Sequence, residues 1–373
     1  MKKILIVFGT RPEAIKMAPL VRSFLNNPNF TTKICVTAQH REMLDQVLHF
    51  FEITPDYDLN LMKPGQNLYS LTADIIAGMK PVMEEVMPDY VFVHGDTTTS
   101  MAAGIAAFYG RAKVCHVEAG LRTYDREYPF PEEFNRQLTG RIADYHFAPT
   151  TLSQNNLLKE NTKAETILVT GNTVIDALLF GINKVNSEQF TDTEIEGLKT
   201  TLDFGKKLIL VTGHRRENHG DGLINICNAL REIAEKNKDV QILYPVHLNP
   251  KVLGPVHELL SGVSNIFLVK PLAYAAFIWL MEKSFLIITD SGGIQEEAPS
   301  LGKPVLVTRG TTERPEAVNE GTVILVGTKT KKIVEEAQKL LNDKEYYNSM
   351  SLLHNPYGDG EASQRIVDYI NNL

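Results

Sequence analysis

A chain of 373 residues with 38 basic and 45 acidic side chains has a formal net charge of −7, which is small for its length. At about 150 residues per domain the length predicts two or three domains, which need no disulfide or metal to fold. Hydrophobic residues make up 43% and charged residues 22% of the chain, which argues against a disordered, collagenous or coiled-coil protein. The mildly acidic balance disfavours binding to nucleic acid or to an anionic membrane, so an anionic ligand requires a local positive cluster.

Cysteine content and hydropathy bear on where the protein resides. Cys35, Cys115 and Cys227 lie in apolar runs without metal-ligand spacing, which predicts buried thiols in a reducing cytoplasm. The apolar run of the N-terminal MKKILIVFG stops at Gly9, so it predicts a first strand and not a secretion signal. No window reaches 18 consecutive apolar residues, so the sequence predicts no membrane span.

Short runs rich in Val, Ile and Leu recur along the chain, each followed by turn residues and a segment with helical periodicity. This alternation predicts parallel sheets covered by helices on both faces. The first six runs lie at residues 4–8, 33–37, 90–94, 113–117, 145–149 and 166–170, and the second six at 208–212, 240–245, 265–269, 285–289, 304–308 and 322–326. Two sets of six predict two doubly wound α/β domains. The first comprises residues 1–172 with a helix returning over 356–373, and the second comprises residues 173–355.

Residues that follow each run are candidates for chemistry, because ligands of open α/β sheets bind beyond the carboxyl ends of the strands. After the first run, GTRPEAIK places Arg11 and Lys16 near a helix N-terminus, which predicts an anion site. The alternative is an ordinary strand–helix turn with surface cations. The dinucleotide fingerprint GxGxxG does not follow this strand.

Carboxylates occupy several of these positions in the first domain. Asp96 and Glu118 each follow an apolar run, and Glu132 and Glu133 open a later helix. Helix capping is the alternative for Asp96, and complementing a helix dipole is the alternative for the glutamate pair. Carboxylates gathered at one rim repel one another, which predicts bound protons or a cationic transition state there.

Positive groups follow the runs of the second domain. His214 and Arg215 of TGHRREN come after its first run, and Arg314 of RGTTERPEA comes after a later one. A lone histidine is more often structural, but one beside arginines in a strand-end loop favours a phosphate-facing group.

The stretch DSGGIQEEAPSLGKP, residues 290–304, is the most informative in the chain. Ser291, Gly292 and Gly293 stand between a strand and a helix, where bare backbone amides and the helix dipole hold a diphosphate well. One turn on, either Glu296 or Glu297 is placed to accept hydrogen bonds from ribose hydroxyls. The alternative is a glycine-rich turn before a solvated, acidic helix start.

Eleven stretches form an ordered set over essentially the whole chain: FGTRPEAIKMAPL, VTAQHREMLDQVL, VHGDTTT, HVEAGLRT, PFPEEFNRQ, GNTVIDAL, TGHRREN, YPVHLNP, TDSGGIQEEAPSLGKPVLV, TTERPEAV and NPYGDG. Together they resemble the signatures of the bacterial non-hydrolysing UDP-N-acetylglucosamine 2-epimerase family. The resemblance implies the GT-B architecture, with two Rossmann-like domains facing across a cleft. It also implies reversible epimerisation at carbon 2 between UDP-N-acetylglucosamine and UDP-N-acetylmannosamine, for cell-envelope polysaccharides, in a homodimer without metal or cofactor.

The same resemblance assigns roles to residues. It implies that the catalytic residues are Asp96, Glu118, Glu132 and His214. It implies that the substrate is bound by Arg11, Lys16, Asp96, Glu118, His214, Leu272, Phe277, Ser291, Gly292, Gly293, Glu297 and Arg314, with the Leu272 backbone touching uracil. Which carboxylate removes the proton and which returns it is left open.

Some bacterial members of the family bind a second UDP-N-acetylglucosamine as an activator beside the active site. The residues of this chain that match that region are Gln39, His40, Arg215 and His247. The chain departs from those members at KPGQ, residues 63–66, which has no arginine where they carry one.

Three classes of function are consistent with these motifs: an epimerase, a glycosyltransferase and a nucleotide-sugar sensor. A glycosyltransferase using the same UDP pocket needs an acceptor site, and a non-enzymatic nucleotide-sugar sensor needs only the phosphate clamp. Neither needs carboxylates for proton transfer at carbon 2, so Asp96, Glu118 and Glu132 favour the epimerase. A hydrolysing epimerase, which releases free N-acetylmannosamine and UDP, is a nearer rival that only the resemblance disfavours.

Overall fold

The computed structural model describes residues 1–37, 41–62 and 65–373. The chain divides into two units, which are called unit 1 and unit 2 below. Unit 1 comprises Met1–Leu179 with Tyr357–Leu373, and unit 2 comprises Phe180–Pro356.

Within its described residues, unit 1 carries a seven-stranded parallel sheet in the order β3-β2-β1-β4-β5-β6-β7. The strands are β1 Lys2–Phe8, β2 Phe30–Val36, β3 Tyr57–Asp58, β4 Tyr90–His94, β5 Lys113–Val117, β6 Tyr145–Ala148 and β7 Ile167–Val169. The helices between and after them are α1 Arg11–Leu25, α2 Arg41–Phe51, α3 Leu68–Val86, α4 Thr98–Tyr109, α5 Glu132–Ile142, α6 Thr151–Lys159 and α7 Thr173–Val185. The division between the units falls inside α7.

The central strands of this sheet are buried on both faces. On one face, Val93 of β4 packs with Met79 of α3 and Ala103 of α4. On the other face, the ring of Phe92 contacts that of Phe24 of α1, with 5.0 Å between the ring centroids. Burial on both faces explains why these strands appear in the sequence as continuous apolar runs rather than as alternating patterns.

Unit 2 carries a six-stranded parallel sheet in the order β10-β9-β8-β11-β12-β13. The strands are β8 Lys207–Thr212, β9 Val240–Pro245, β10 Ile266–Val269, β11 Leu286–Thr289, β12 Val305–Val307 and β13 Val323–Leu325. The helices are α8 Thr193–Thr201, α9 Asp221–Lys236, α10 Pro250–Leu260, α11 Tyr274–Lys283, α12 Gly292–Glu297, α13 Pro315–Asn319, α14 Thr330–Asn342 and α15 Lys344–Ser351.

The last helix, α16 Ala362–Asn372, belongs to unit 1. Its first turn is capped by Asp176 of α7, whose carboxylate accepts the backbone N–H of Ser363 at 2.7 Å. Its last turn is held by Lys2, which donates to the carbonyl of Ile370 at 2.7 Å. The end of the chain is therefore anchored to the domain that its beginning forms.

The predicted fold class is confirmed: both sheets are parallel, and helices alternate with the strands. Each of the twelve predicted runs forms a strand. The sequence did not predict β3, because two residues are too short for a hydrophobic pattern. The three cysteines are buried free thiols, as predicted. Within residues 1–37, 41–62 and 65–373, no helix is long and apolar enough to cross a bilayer.

Candidate active site

The carboxyl ends of β1, β4 and β5 lie side by side at the centre of the unit 1 sheet. The strand order reverses here, because the chain moves outward from β1 to β2 in one direction and from β4 to β5 in the other. Loops that leave such a point diverge and open a crevice for ligands. Asp96 and Glu118 lie in the loops after β4 and β5, and Arg11 begins α1 directly after the β1 loop.

Glu118 directly follows β5 and adopts a left-handed backbone conformation, with φ of 59°. Its side chain is only 7% exposed and forms an ion pair with Lys16 of α1. Asn172 donates its side-chain N–H to Oε2 of Glu118 at 2.8 Å, and Nε2 of His94 lies 3.7 Å from the same oxygen. A positive φ in a non-glycine residue costs free energy, which is typical of a functional position held by its surroundings.

Asp96 lies in the loop after β4, and its side chain is 28% exposed. Burial raises its pKa to about 6, against the opposing charge of Arg136, whose Nη2 lies 2.8 Å from Oδ2. The charges of Glu118 and Glu132 also raise this pKa, so the three carboxylates are near enough to influence one another. A carboxyl group that titrates near neutral pH is suited to accept and return a proton.

The capping alternative for Asp96 is wrong. The N-cap of α4 is Thr97, whose hydroxyl accepts the backbone N–H of Ser100 at 3.1 Å. The Asp96 carboxylate is thus available for its contact with Arg136 and for chemistry.

The two glutamates that open α5 differ in role. Glu133 is fully buried and accepts the backbone N–H groups of Thr123 and Tyr124 at 2.9 and 3.0 Å, so it holds the preceding loop in place. Glu132, by contrast, is half-buried, and its charge raises the pKa of Asp96. Of this pair, Glu132 is the candidate for chemistry.

Glu13 is a member of this cluster that the sequence reasoning missed. Its buried carboxylate accepts hydrogen bonds from the amides of Gly9 and Thr10, at 3.1 and 2.8 Å. It also accepts from the hydroxyls of Thr97 and Ser100, at 2.6 and 3.2 Å. It therefore ties the loop between β1 and α1 to the loop that carries Asp96. Burial raises the pKa of Glu13, and its hydrogen bonds with Thr97, Thr10 and Gly9 oppose that rise.

We expect Glu13→Ala to lower the free energy of unfolding by about 2–4 kcal/mol, because four buried or partly buried donors lose their acceptor. Glu13→Gln is the matched control. Its oxygen still accepts the two amides, and the two hydroxyls rotate to accept from its amino group, so its cost is within about 1 kcal/mol. Urea unfolding of both variants measures the difference. Equal losses would show that the charge of Glu13, and not its hydrogen bonds, joins the loops.

In unit 2, His214 and Arg215 follow β8 and are fixed by Asp290, at the end of the neighbouring β11. The buried Asp290 carboxylate accepts the backbone N–H groups of His214 and Arg215 at 3.0 and 2.9 Å. Partial burial lowers the pKa of His214 against the opposing charge of Asp290. Asp290 is the first residue of DSGGIQEEAPSLGKP, and the sequence pattern did not predict this role for it.

The glycine-rich stretch has the predicted strand–helix geometry. In the described chain, Ser291 stands at the N-cap of α12 without a side-chain hydrogen bond to that helix, and α12 begins at Gly292. A Cβ on Gly292 would come to 3.9 Å from the Arg215 guanidinium, and one on Gly293 to 3.9 Å from a carboxylate oxygen of Glu297. Backbone amides, a cation and a carboxylate thus surround one helix start.

The contact with Arg314 distinguishes Glu296 from Glu297 as the candidate to accept hydrogen bonds from ribose hydroxyls. Glu296 is 1% exposed and forms an ion pair with Arg314, so it orients that guanidinium. Glu297 is therefore the better candidate for ribose hydroxyls. Leu272 and Phe277 are both half-buried, beside and within the first turns of α11.

The proposed regulatory residues are only partly covered by the structure. The ring of His247 stacks on that of His214, with 5.8 Å between centroids and 23° between planes. Gln39, His40 and the first two residues of KPGQ lie outside the described residues. In the part of the chain that the structure describes, no three His, Cys, Asp or Glu side chains are grouped to hold a metal ion.

Two doubly wound parallel sheets with polar residues at their carboxyl ends define a two-unit, Rossmann-like α/β protein. A sequence model of the family described as UDP-N-acetylglucosamine 2-epimerase matches residues 22–371. The chain belongs to this family.

Relatives and solved structures match this chain over its full length. It is 58% identical over 370 residues to the UDP-N-acetylglucosamine 2-epimerase of Escherichia coli K12, covering 99% of this chain and 98% of the relative. The Campylobacter jejuni protein of the same name is 55% identical over 372 residues, covering 99% and 97%. The crystal structure of UDP-GlcNAc 2-epimerase from Neisseria meningitidis bound to UDP-GlcNAc is similar with a TM-score of 0.91 and 52% identity, covering all of both chains.

Proposed function

We propose that this protein interconverts UDP-N-acetylglucosamine and UDP-N-acetylmannosamine by inverting carbon 2 of the sugar. The observation that carries this proposal is the pair Asp96 and Glu118 on neighbouring strand ends, one with a pKa near 6 and the other buried against Lys16. This pair occurs in a chain whose full-length relatives carry the name of that activity.

The reaction requires acid–base groups for a definite reason. The hydrogen on carbon 2 is not adjacent to a carbonyl, so direct removal of that proton is very unfavourable. Loss of UDP first gives an oxocarbenium-like centre at carbon 1, which acidifies this hydrogen. Removal of the proton then gives 2-acetamidoglucal. Protonation on the opposite face and return of UDP to carbon 1 complete the inversion.

The two units carry groups suited to different steps of this reaction. The carboxylates of unit 1 stabilise the developing cation and move the proton, with Asp96, Glu118 and Glu132 as the residues concerned. Unit 2 supplies groups that hold the leaving diphosphate: the start of α12 at Gly292, the Arg314 guanidinium and His214. The negative charge on UDP grows as the bond breaks, and cations and backbone amides stabilise it there.

A nucleotide-sugar sensor would use the groups of unit 2 alone, and a glycosyltransferase would add an acceptor site. Neither moves a proton at carbon 2 of the sugar, so neither needs Asp96, Glu118 and Glu132 gathered together with the Asp96 pKa near 6. That arrangement is costly to maintain and favours a protein that moves protons.

Incubation with UDP-N-acetylglucosamine in deuterium oxide, without added nicotinamide or metal, is expected to give both UDP-sugars with deuterium at carbon 2. The carboxyl proton exchanges with solvent before it returns to carbon, so the label enters during turnover. Proton NMR and mass spectrometry of the recovered sugars measure it. Unlabelled epimer would contradict the elimination mechanism, and free N-acetylmannosamine with UDP would assign the protein to the hydrolysing class. Heat-inactivated protein is the control.

The setting of the enzyme follows from the same proposal. Three buried, free cysteines suit a reducing compartment, so we place the protein in the cytoplasm, where it would supply a precursor of cell-envelope polysaccharides. The family resemblance supports a homodimer. Activation by a second substrate molecule would involve Arg215 and His247 together with Gln39 and His40.

A further inference from the structure

Two signature stretches, GNTVID at 171–176 and NPYGDG at 355–360, have no role in the proposed function, and they meet in unit 1. Gly171 and Gly358 both have positive φ, of 86° and 127°. A Cβ on either glycine would lie 3.3 Å from the Cα of the other, which is closer than most Cβ contacts, so a side chain at either position would push the two backbones apart. In this contact the backbone N–H of Asn172 donates to the carbonyl of Tyr357 at 2.7 Å.

The side chain of Asn172 points from this contact to Glu118. It is buried, and its Oδ1 accepts the backbone N–H of Val174 at 3.1 Å. Because the oxygen is occupied in this way, the amino group must face the other way, where it donates to Oε2 of Glu118 at 2.8 Å. The orientation of the amide is thus set by the backbone, and Asn172 offers Glu118 a donor and not an acceptor.

A fixed donor favours the ionised form of a buried carboxyl group. Among the described residues, the titratable groups with a described interaction with Glu118 include Lys16 of α1, His94 of β4 and Asp96 after β4. Burial lowers the pKa of His94 to about 4, so at neutral pH its imidazole adds no positive charge. Asp96 opposes ionisation of Glu118. Lys16 favours it, but Lys16 is also a candidate to contact the substrate.

We infer that Asn172 is a positioning residue that keeps Glu118 ionised and oriented, and that the contact between residues 171–172 and 357–358 holds Asn172 in place. This inference rests on the proposed function for its effect on the reaction. Its effect on the Glu118 carboxyl group is independent of that function. The neutral amide gives Glu118 a partner that remains when a substrate competes for Lys16.

The test uses Asn172→Ala and Asn172→Asp in the full-length protein. Asn156→Ala and Asn156→Asp are matched controls, because Asn156 is a buried amide of the same unit that donates to the carbonyl of Gly120 at 3.0 Å. Glutamate labelled with carbon-13 at the side-chain carboxyl is introduced into each protein. The Glu118 signal is identified by its loss in Glu118→Gln and is titrated by NMR. Circular dichroism and the unfolding midpoint report the fold of each variant.

We expect the Glu118 pKa to rise by about one unit or more in Asn172→Ala and by more in Asn172→Asp, where a second carboxylate faces it. The Asn156 variants leave it unchanged. If Asn172→Asp does not fold, Asn172→Ala carries the test. An unchanged Glu118 pKa in a folded Asn172→Ala protein overturns the inference.

Kinetics of the same proteins separate this inference from the proposed function. We expect the pH dependence of kcat for Asn172→Ala to shift upward with the Glu118 pKa, with kcat lowered most on the acidic side of the profile and KM changed less than kcat. A lower kcat with neither the Glu118 pKa nor the pH profile moved would indicate a merely structural role for Asn172, and that result contradicts positioning. A raised Glu118 pKa with an unmoved profile would instead remove Glu118 from the proposed catalytic residues and leave Asn172 as its donor.

Discussion

Glu118→Gln is expected to lower turnover by about 10²–10⁴-fold, which is the usual contribution of a general acid or base. Glutamine has nearly the shape of glutamate and still accepts the hydrogen bond from Asn172, but it carries no proton-accepting carboxylate. Glutamine also loses the ion pair with Lys16, and it has no negative charge to stabilise a cationic sugar. UDP affinity should stay within about threefold, because the diphosphate is proposed to bind chiefly to unit 2.

Glu160→Gln is the matched control for this prediction. Glu160 also forms an ion pair in unit 1, where its carboxylate accepts from Nε and Nη2 of Arg122 at 2.7 and 2.9 Å. Arg122 is not one of the proposed catalytic or substrate-binding residues. We expect it to reduce stability and to leave turnover unchanged. Steady-state epimerisation and calorimetric UDP binding measure both variants. A Glu118→Gln protein with more than a tenth of normal turnover would remove Glu118 from the catalytic residues.

The fold was predictable from the sequence because the strands are buried on both faces. A strand such as β4, whose side chains pack on α1 through Phe92 and on α3 and α4 through Val93, cannot carry polar residues in its middle. Such strands appear as uninterrupted apolar runs. The edge strand β3 has two residues, and its pairing of Tyr57 with Cys35 leaves no periodic signal.

The candidate site was predictable for residues that directly follow a strand. Asp96 and Glu118 follow strands, and a general rule places such residues at the ligand edge of a parallel sheet. Glu13 and Asn172 act through partners that are remote in sequence: Ser100 lies 87 residues from Glu13, and Glu118 lies 54 from Asn172. Apolar periodicity does not encode which buried polar groups meet across such distances. A capping box around Thr10 and Glu13 was the one local signal available for Glu13.

Packing that the sequence does not show also explains why Glu296 and Glu133 are structural residues. Both are neighbours of a candidate residue in the sequence, and both turn inward, Glu296 to Arg314 and Glu133 to backbone amides after β5. Adjacent residues on a helix point about 100° apart, so the two members of each pair have different surroundings. The sequence identifies the pair, and the packing selects the member.

Asp96→Asn is expected to abolish most turnover and at the same time to stabilise the protein at neutral pH. The pKa of Asp96 is raised from an ordinary 3.8 to about 6, chiefly by burial. At pH 7 the group is therefore ionised in a place that disfavours its charge. Asparagine resembles the protonated, uncharged form. It cannot exchange a proton with the substrate, so we expect turnover to fall by about 10²–10⁴-fold.

The sign of the stability effect follows from proton linkage. Between about pH 4 and pH 6 the folded protein binds this proton more tightly than the unfolded chain does, so the free energy of unfolding falls as pH rises through that window. Above pH 6 the penalty is constant. Because the side chain is 28% exposed and paired with Arg136, we expect a gain of about 1–2 kcal/mol for Asp96→Asn at pH 7.5 and almost none at pH 4.

Urea unfolding of wild type and Asp96→Asn at both pH values measures this difference. Asp144→Asn is the control, because Asp144 pairs with Lys113 at the opposite end of the same sheet and accepts the amide of Val114 at 2.9 Å. We expect that variant to keep its turnover and to gain no stability on going from pH 4 to 7.5. If Asp96→Asn also failed to gain stability at pH 7.5, Arg136 would fully compensate the burial of Asp96. The carboxyl group would then be an ordinary ion-pair partner, with no pKa suited to moving the proton on carbon 2.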